Sequence, residues 1–338
     1  MSAFLVLVRM RVYDVTRSRA SGALFMSLPV VLLALLALVF SNGQPFERRV
    51  VEIVGPPSAR REAVVQKVVE YTELRVRVDD HRDRALARLR SRTANLVVVA
   101  SPDGTLLVAG PNDRLLARGL APALGPSAVV EIHELPRFGY IHYIFPGLVT
   151  STTLLAGLFG MGYAMVRFRQ SLFLKKLATT PLSRSTFVLA LVAARGALIL
   201  AQTAVLSVCA TLLFGLPMTA TSAALLLVYV VLGTLVFTGI GFLLACVVES
   251  EGVVMDVINA CTAPLIFVSE MFFPNDVLPD AARRIVALLP TTMMVSGARA
   301  VLLYGETRPA EILPGILGLA LWAGAAYLVS LRAFRWHG

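Results

Sequence analysis

The sequence predicts an α-helical polytopic membrane protein with six transmembrane helices, a re-entrant segment before the last, and a small α/β extracytoplasmic domain between the first two. Three observations lead there. The 338-residue chain is 57% hydrophobic and 15% charged, with a mean hydropathy of +0.76, whereas soluble domains hold nearer a quarter charged residues. Its apolar residues gather into runs long enough to cross a hydrocarbon core of about 30 Å, which takes ~20 residues of helix. Its net charge of +10 comes largely from short basic segments beside those runs, where membrane topology places them.

Residues 1–20 open the chain. Phe4, Leu5, Val8, Val12 and Val15 recur at three- and four-residue spacing, and Arg9, Arg11, Arg17 and Arg19 are assigned to the opposite face. That pattern predicts an amphipathic helix lying in the cytoplasmic interface. The bland alternative is a frayed basic segment that only sets topology. Residues 21–41 follow as the first span. The run is too long for a signal-peptide core and lacks a small-residue cleavage site, so it reads as retained.

The segment 42–141 carries 15 basic and 12 acidic residues, a balance expected of a soluble domain, here placed at 45–138. Val50–Val54, Leu74–Val78, Leu96–Ala100 and Leu106–Ala109 read as strands, the last two joined through Pro102-Asp103-Gly104. Helical periodicity fills 57–72 and 80–92. The order β-α-β-α-β-β gives a small α/β layer with a partly parallel sheet. No glycine-rich phosphate loop opens either helix, and His81 and His133 lack metal-ligand spacing. A lid, docking or gating role fits this domain better than catalysis.

Further spans read at 142–164, 186–213, 221–248, 254–273 and 311–331. Cys209, Cys246 and Cys261 fall within them and read as small buried apolar residues. The loop 165–185 holds Arg167, Arg169, Lys175, Lys176 and Arg184 without one acidic residue. With the basic N-terminal segment and Arg332 and Arg335 in the tail, this bias puts both termini and the loop on the cytoplasmic side. Within the loop, Phe168, Leu172 and Leu177 line one side of a short amphipathic helix, which Pro181 ends. Such a helix either anchors at the membrane surface or docks in a partner's groove.

The C-terminal third is the most distinctive part. Pro264-Leu265-Ile266-Phe267-Val268-Ser269-Glu270-Met271-Phe272-Phe273-Pro274 ends a span in an aromatic pair and a proline. Leu278-Pro279, Leu289-Pro290-Thr291-Thr292, Arg299 and Tyr304-Gly305 follow. Within 280–303 a short amphipathic segment is followed by an apolar stretch too short to cross, and Pro290 breaks the element, so 280–303 reads as a re-entrant element shielded by protein. A full crossing here would invert the last span and put Arg332 and Arg335 outside, against the positive-inside bias.

Charges inside spans carry a default suspicion of function. Arg195 lies deep in its span, Glu270 near the outer end of the fifth and Asp256 near its inner end. Arg195 either pairs structurally within the bundle or meets an anionic substrate headgroup. Gln202, Asn259 and Thr262 either line a path or bond between helices. Together with Phe267, Phe272 and Phe273 they are the candidate path or gate residues.

These features in order, with Leu177-Ala178-Thr179-Thr180-Pro181-Leu182-Ser183 after the second span and Ser269-Glu270-Met271-Phe272-Phe273-Pro274 after the fifth, resemble the membrane (permease) subunit of a type-2 ABC transporter. The likeness covers essentially the whole chain. It implies a non-catalytic transport subunit of a bacterial inner membrane, paired with a second permease subunit as a homo- or heterodimer. It also implies a separate cytosolic ATPase dimer that holds ATP and magnesium. Residues 167–180 would be the coupling helix, with Arg167, Phe168, Leu172, Leu174, Lys175, Lys176, Leu177 and Pro181 meeting the ATPase. The chain departs from the family pattern twice. Arg167, Arg169 and Leu172 stand where an acidic residue and a glycine are frequent, and Glu270 stands where glycine commonly follows the serine.

No cofactor is expected on this chain, which has no Gly-x-x-x-x-Gly-Lys-[Ser/Thr] segment. Nucleic-acid binding is disfavoured because no basic face is interleaved with aromatics. Two other classes compete. A secondary transporter or channel calls for inverted repeats and interrupted spans with ion-binding carboxylates, neither of which is clear here. A membrane-anchored sensor leaves five later spans without a purpose.

Overall fold

A computed structural model describes residues 3–16, 19–39, 49–71, 74–82, 85–86, 89, 94–101, 104–110, 113–133, 140–173, 179, 183–248, 250–272, 280–303, 305 and 307–333. The chain divides into two compact units. One contains the helices α1 (Ala3–Thr16), α2 (Arg19–Val39) and the long helices after residue 140. The other contains a five-stranded sheet and its helices.

In the sheet unit, β1 (Arg49–Val54), α3 (Ala59–Val69), β2 (Leu74–Asp79), β3 (Leu96–Ser101), β4 (Gly104–Ala109), α4 (Arg114–Leu124) and β5 (Ala128–Ile132) follow in order. The strands lie β2-β1-β3-β4-β5. β1 runs parallel to both β2 and β3, β3 and β4 are antiparallel, and β4 and β5 are parallel. The expected partly parallel layer is therefore present, with a helix, α4, and a strand, β5, that the sequence does not suggest, while most of the helix expected over 80–92 lies outside the described residues. Gly119 and Pro122 inside α4 disguised it as a loop, and β5 is a short strand of alternately half-buried and exposed residues.

Alternation decides the faces. Val51, Ile53, Leu96, Val98 and Leu107 pack beneath Val64 and Val68 of α3 and Leu120 and Leu124 of α4. Val54, Val97 and Val108 point the other way, against Ala85 and Leu89. Ser58 starts α3 by accepting a bond from the Arg61 amide at 3.3 Å, which satisfies one of the orphan donors of the first turn.

In the helical unit, five helices among the described residues are long and apolar enough to cross a membrane. They belong to α5 (Tyr140–Gln170), α6 (Arg184–Phe214), α7 (Ala220–Val247), α8 (Glu251–Val268) and α11 (Pro309–Ala333). The first expected span is helical too, but its described apolar stretch, Phe25–Leu36, is shorter. Between α8 and α11 lie two short helices, α9 (Asp280–Val286) and α10 (Pro290–Leu303). Fourteen residues of α10 rise only ~21 Å, less than the hydrocarbon thickness.

α5 and α7 form the centre. The most apolar window of α5 is 78% buried, against 17% for α8 and 22% for α11. Ile144, Phe145, Leu148 and Leu154 of α5 and Tyr229, Phe237 and Phe242 of α7 are all buried, and Phe237 lies against Gly157 of α5. The two helices come close because Gly241 faces the carbonyls of Gly157 and Leu158, where a Cβ would lie 3.1 and 2.9 Å from those oxygens. The outward sides of α6, α8 and α11 keep Leu212, Phe267 and Leu321 exposed, as a lipid-facing or subunit-facing surface requires. Cys209 and Cys246 are half-buried, but Cys261 is exposed on α8, so it is not the buried small residue its place in a span suggested.

Candidate functional site

Two clusters gather the polar and aromatic residues of the helical unit. The first lies where α5 ends. Arg167 and Phe168 belong to the last turn of α5 rather than to a new helix. The chain then turns through Leu172, whose φ of 55° is left-handed. A single helix over 167–180 therefore does not form, because the backbone leaves helical geometry at Leu172. Leu174, Lys175, Lys176, Leu177 and Pro181 lie outside the described residues.

Phe168 points inward instead of lining a docking face. Its ring centroid is 5.1 Å from that of Phe173 and 6.0 Å from that of Phe187 at the start of α6. The Arg11 guanidinium sits 4.0 Å over the Phe168 ring and 5.9 Å from that of Phe173. This is cation–π geometry, worth about 0.5–1 kcal/mol when exposed and more when desolvated. Arg11 therefore lies on the packed side of α1 and not on its polar face. Its spacing from Phe4 and Val8, seven and three residues, already puts it on their side. Arg167 and Leu172 remain exposed on the same turn.

The second cluster lies just beyond the end of α8. Glu270 follows Ser269 with a φ of 57°, again left-handed. Arg299 of α10 holds this turn. Its Nη2 donates to the Glu270 carbonyl at 2.8 Å, its Nη1 lies 3.6 Å from Glu270 Oε2, and its guanidinium stacks 3.8 Å from the Tyr143 ring centre on α5. Ser269 and Thr291 share a 2.6 Å hydroxyl bond, both side chains buried. Met271 packs its backbone on Gly147, where a Cβ would overlap the Met271 carbonyl. Two elements, α5 and α10, thus pin one strained turn. The sequence reading named Glu270 but assigned Arg299 no role beside it. Arg299 and Glu270 are 29 residues apart, and no local pattern marks the pairing.

The remaining candidates disperse. Gln202 of α6 is buried and donates to the Phe25 carbonyl of α2 at 2.6 Å, a bond between helices. Thr262 returns its hydroxyl to the Ile258 carbonyl of its own helix at 2.6 Å. Asn259, Asp256 and Phe267 are exposed on α8, and Phe272 is half-buried at the turn. Phe273 lies outside the described residues. Arg195 of α6 donates to the Gly160 carbonyl of α5 at 3.3 Å.

α10 is wedged between α7 and α11. The sulfur of Met294 packs where a Cβ on Gly233 of α7 would sit, and that of Met293 does the same at Gly318 of α11. Tyr229 lies against Gly297 and donates to the Ile312 carbonyl at 3.2 Å. Trp322 of α11 donates to the Leu288 carbonyl, in the link between α9 and α10, at 3.0 Å. Among the described residues no group of histidine, cysteine and carboxylate side chains is placed to hold a metal ion.

In comparison with known proteins, the family described as ABC-2 type transporter matches residues 111–303. No individually curated protein matches the chain.

Proposed function

Because this chain belongs to the ABC-2 type transporter family and is a multi-pass membrane transport subunit, we propose that it is the permease half of an ATP-driven exporter. Such subunits normally work with a cytosolic ATPase in a lipid bilayer. Two permease chains form the pathway between them, and a partner ATPase dimer binds ATP and magnesium. Both termini lie on the cytoplasmic side of a bacterial inner membrane, six helices cross it, and residues 280–303 dip in from outside without crossing. The sheet unit is extracytoplasmic. The permease does no covalent chemistry. Energy enters because the open and closed forms of the ATPase bind the two membrane conformations unequally.

The observation that carries this reading is the family match itself, which takes in α5 through α10. The clusters at the two ends of those helices fit the two ends of a transport cycle. Residues 167–180 would receive the motion of the ATPase, with Phe168 locking the base of α5 to α6. The Glu270 turn, pinned by Arg299, would form part of the outer gate.

The test is copurification. Affinity-tagged chain, expressed from its native locus and extracted gently, should bring down a protein with a P-loop. Replacing Leu174 and Leu177 with aspartate should leave insertion and dimerisation intact while ATPase stimulation and transport fall, since unpaired charge is penalised on an apolar docking surface. Recovery of an active transporter without any ATPase would refute the proposal.

A further inference from the structure

A cavity of about 70 Å³ lies between α1, α5 and α6, and two guanidinium groups, those of Arg11 and Arg195, line it. Gly160 on α5 makes the room. A Cβ at that position would collide with the Arg195 guanidinium, which therefore lies flat against the helix backbone. The rest of the described lining is small or aliphatic, including Leu191, Ala194 and Leu198, and contains no carboxylate. Among the described residues no acidic group pairs with Arg195, whose hydrogen bond to Gly160 occupies one donor. A guanidinium has five N–H donors. The Arg195 donors left unfilled in this weakly polar cavity are unfavourable, and the Arg11 charge on the α1 wall adds to the positive potential there.

Depth narrows the ligand. α5 and α6 have 31 residues each, ~46 Å of helix, so about 8 Å overhangs a 30 Å hydrocarbon core at each end. Arg195 stands eleven positions after Arg184, roughly 16 Å along the axis and so about 8 Å below the hydrocarbon boundary. That is within reach of a phosphate drawn slightly inward, with its acyl chains running on past Leu191 and Leu198. The forked guanidinium matches phosphate oxygens in pairs.

We propose that this cavity holds the phosphate group of an anionic phospholipid, clamped between Arg11 and Arg195. The lipid ties α1 to α5 and α6 next to the Phe168 cluster, since the same Arg11 caps that cluster. The proposal rests on the chain being a membrane protein and on nothing about its ATPase.

The test uses full-length chain in neutral detergent, with unfolding temperature followed during titration by dioleoyl phosphatidylglycerol, dioleoyl phosphatidylcholine or inorganic phosphate. The anionic lipid should bind about tenfold more tightly than the zwitterionic one, the scale of one charge-assisted contact. Arg11→Gln should weaken the anionic lipid about tenfold and leave phosphatidylcholine unchanged. Arg195→Lys, which keeps the charge but loses the fork, should weaken it severalfold, and Arg284→Gln should have no effect. An undiminished preference in both cavity variants would overturn the proposal. So would inorganic phosphate reproducing the arginine-dependent shift without lipid, which would assign the cavity to a free anion. Because no ATPase enters the measurement, either failure leaves the transport reading untouched.

Discussion

Leu172 and Glu270 are the two non-glycine residues with left-handed backbone among the described residues. An L-residue in that region is disfavoured by roughly 1–2 kcal/mol. Glu270 is also where the resemblance to type-2 ABC membrane subunits leads one to expect glycine, and Leu172 is one of the three residues that stand where an acidic residue and a glycine are frequent. The substitution pattern thus has a backbone cause, and the two sites differ in what offsets it. Leu172 is 53% exposed, so Leu172→Gly should relieve strain, lose little burial and raise stability by up to about 1 kcal/mol. Glu270 is held by Arg299, so any replacement weakens a partly buried ion pair. Glu270→Ala should lower the unfolding temperature, and Glu270→Gly should lower it less, the reverse of the usual ranking inside helices. Alanine proving equal or superior to glycine in thermal unfolding would refute the left-handed assignment.

The short helix α10 shows how a helix too short to cross is kept in a membrane unit. It has no length to span the core, so it depends on the glycines that accept its side chains from α7 and α11. Gly233→Ala places a methyl on the Met294 sulfur and should destabilise by about 1–3 kcal/mol, as overpacked cores do. Gly324→Ala on α11 meets nothing within 4 Å and should be neutral or slightly favourable through helix propensity. Thermal unfolding in detergent compares them, and equal effects would mean that α10 does not pack as described. Pro290 was expected to break this segment, and it occupies the first position of α10. Proline is favoured there because the amide it lacks would have no helical partner.

Across the whole molecule, what the sequence made legible was what periodicity and hydropathy encode locally. The long helices and four of the strands lie within a few residues of expectation, except that α5 runs on through Gln170, six residues past the end expected for its span, and α8 stops at Val268, five residues short of its expected end. Pairings over long separations were not legible. Arg299 with Glu270, Arg11 with Phe168 and Gly241 with Gly157 are brought together only by packing, and no local pattern announces them. Side-chain roles were legible least, so Gln202 emerges as a bond between helices while Asn259 and Phe267 lie on an exposed face. Topology is the property most worth measuring. Leu115 of α4 is 81% exposed, so Leu115→Cys should react with a membrane-impermeant maleimide on intact cells. Reaction only after lysis would place the sheet unit inside and reverse the orientation of every span.

The glycine-cradled thioethers of α10 also give the protein a chemical vulnerability. Oxidation of Met293 or Met294 to the sulfoxide adds a polar oxygen where the neighbouring helices leave no space. Peroxide should therefore loosen the wedge before it breaks any covalent bond, and sulfoxide reductases should repair the loss. Chain carrying Met293→Leu and Met294→Leu should keep its unfolding temperature through peroxide treatment while the parent loses several degrees. Equal losses in the two would place the sensitive sulfur elsewhere. On this view a cell under oxidative stress loses this transporter through its packing, with every charged contact still in place.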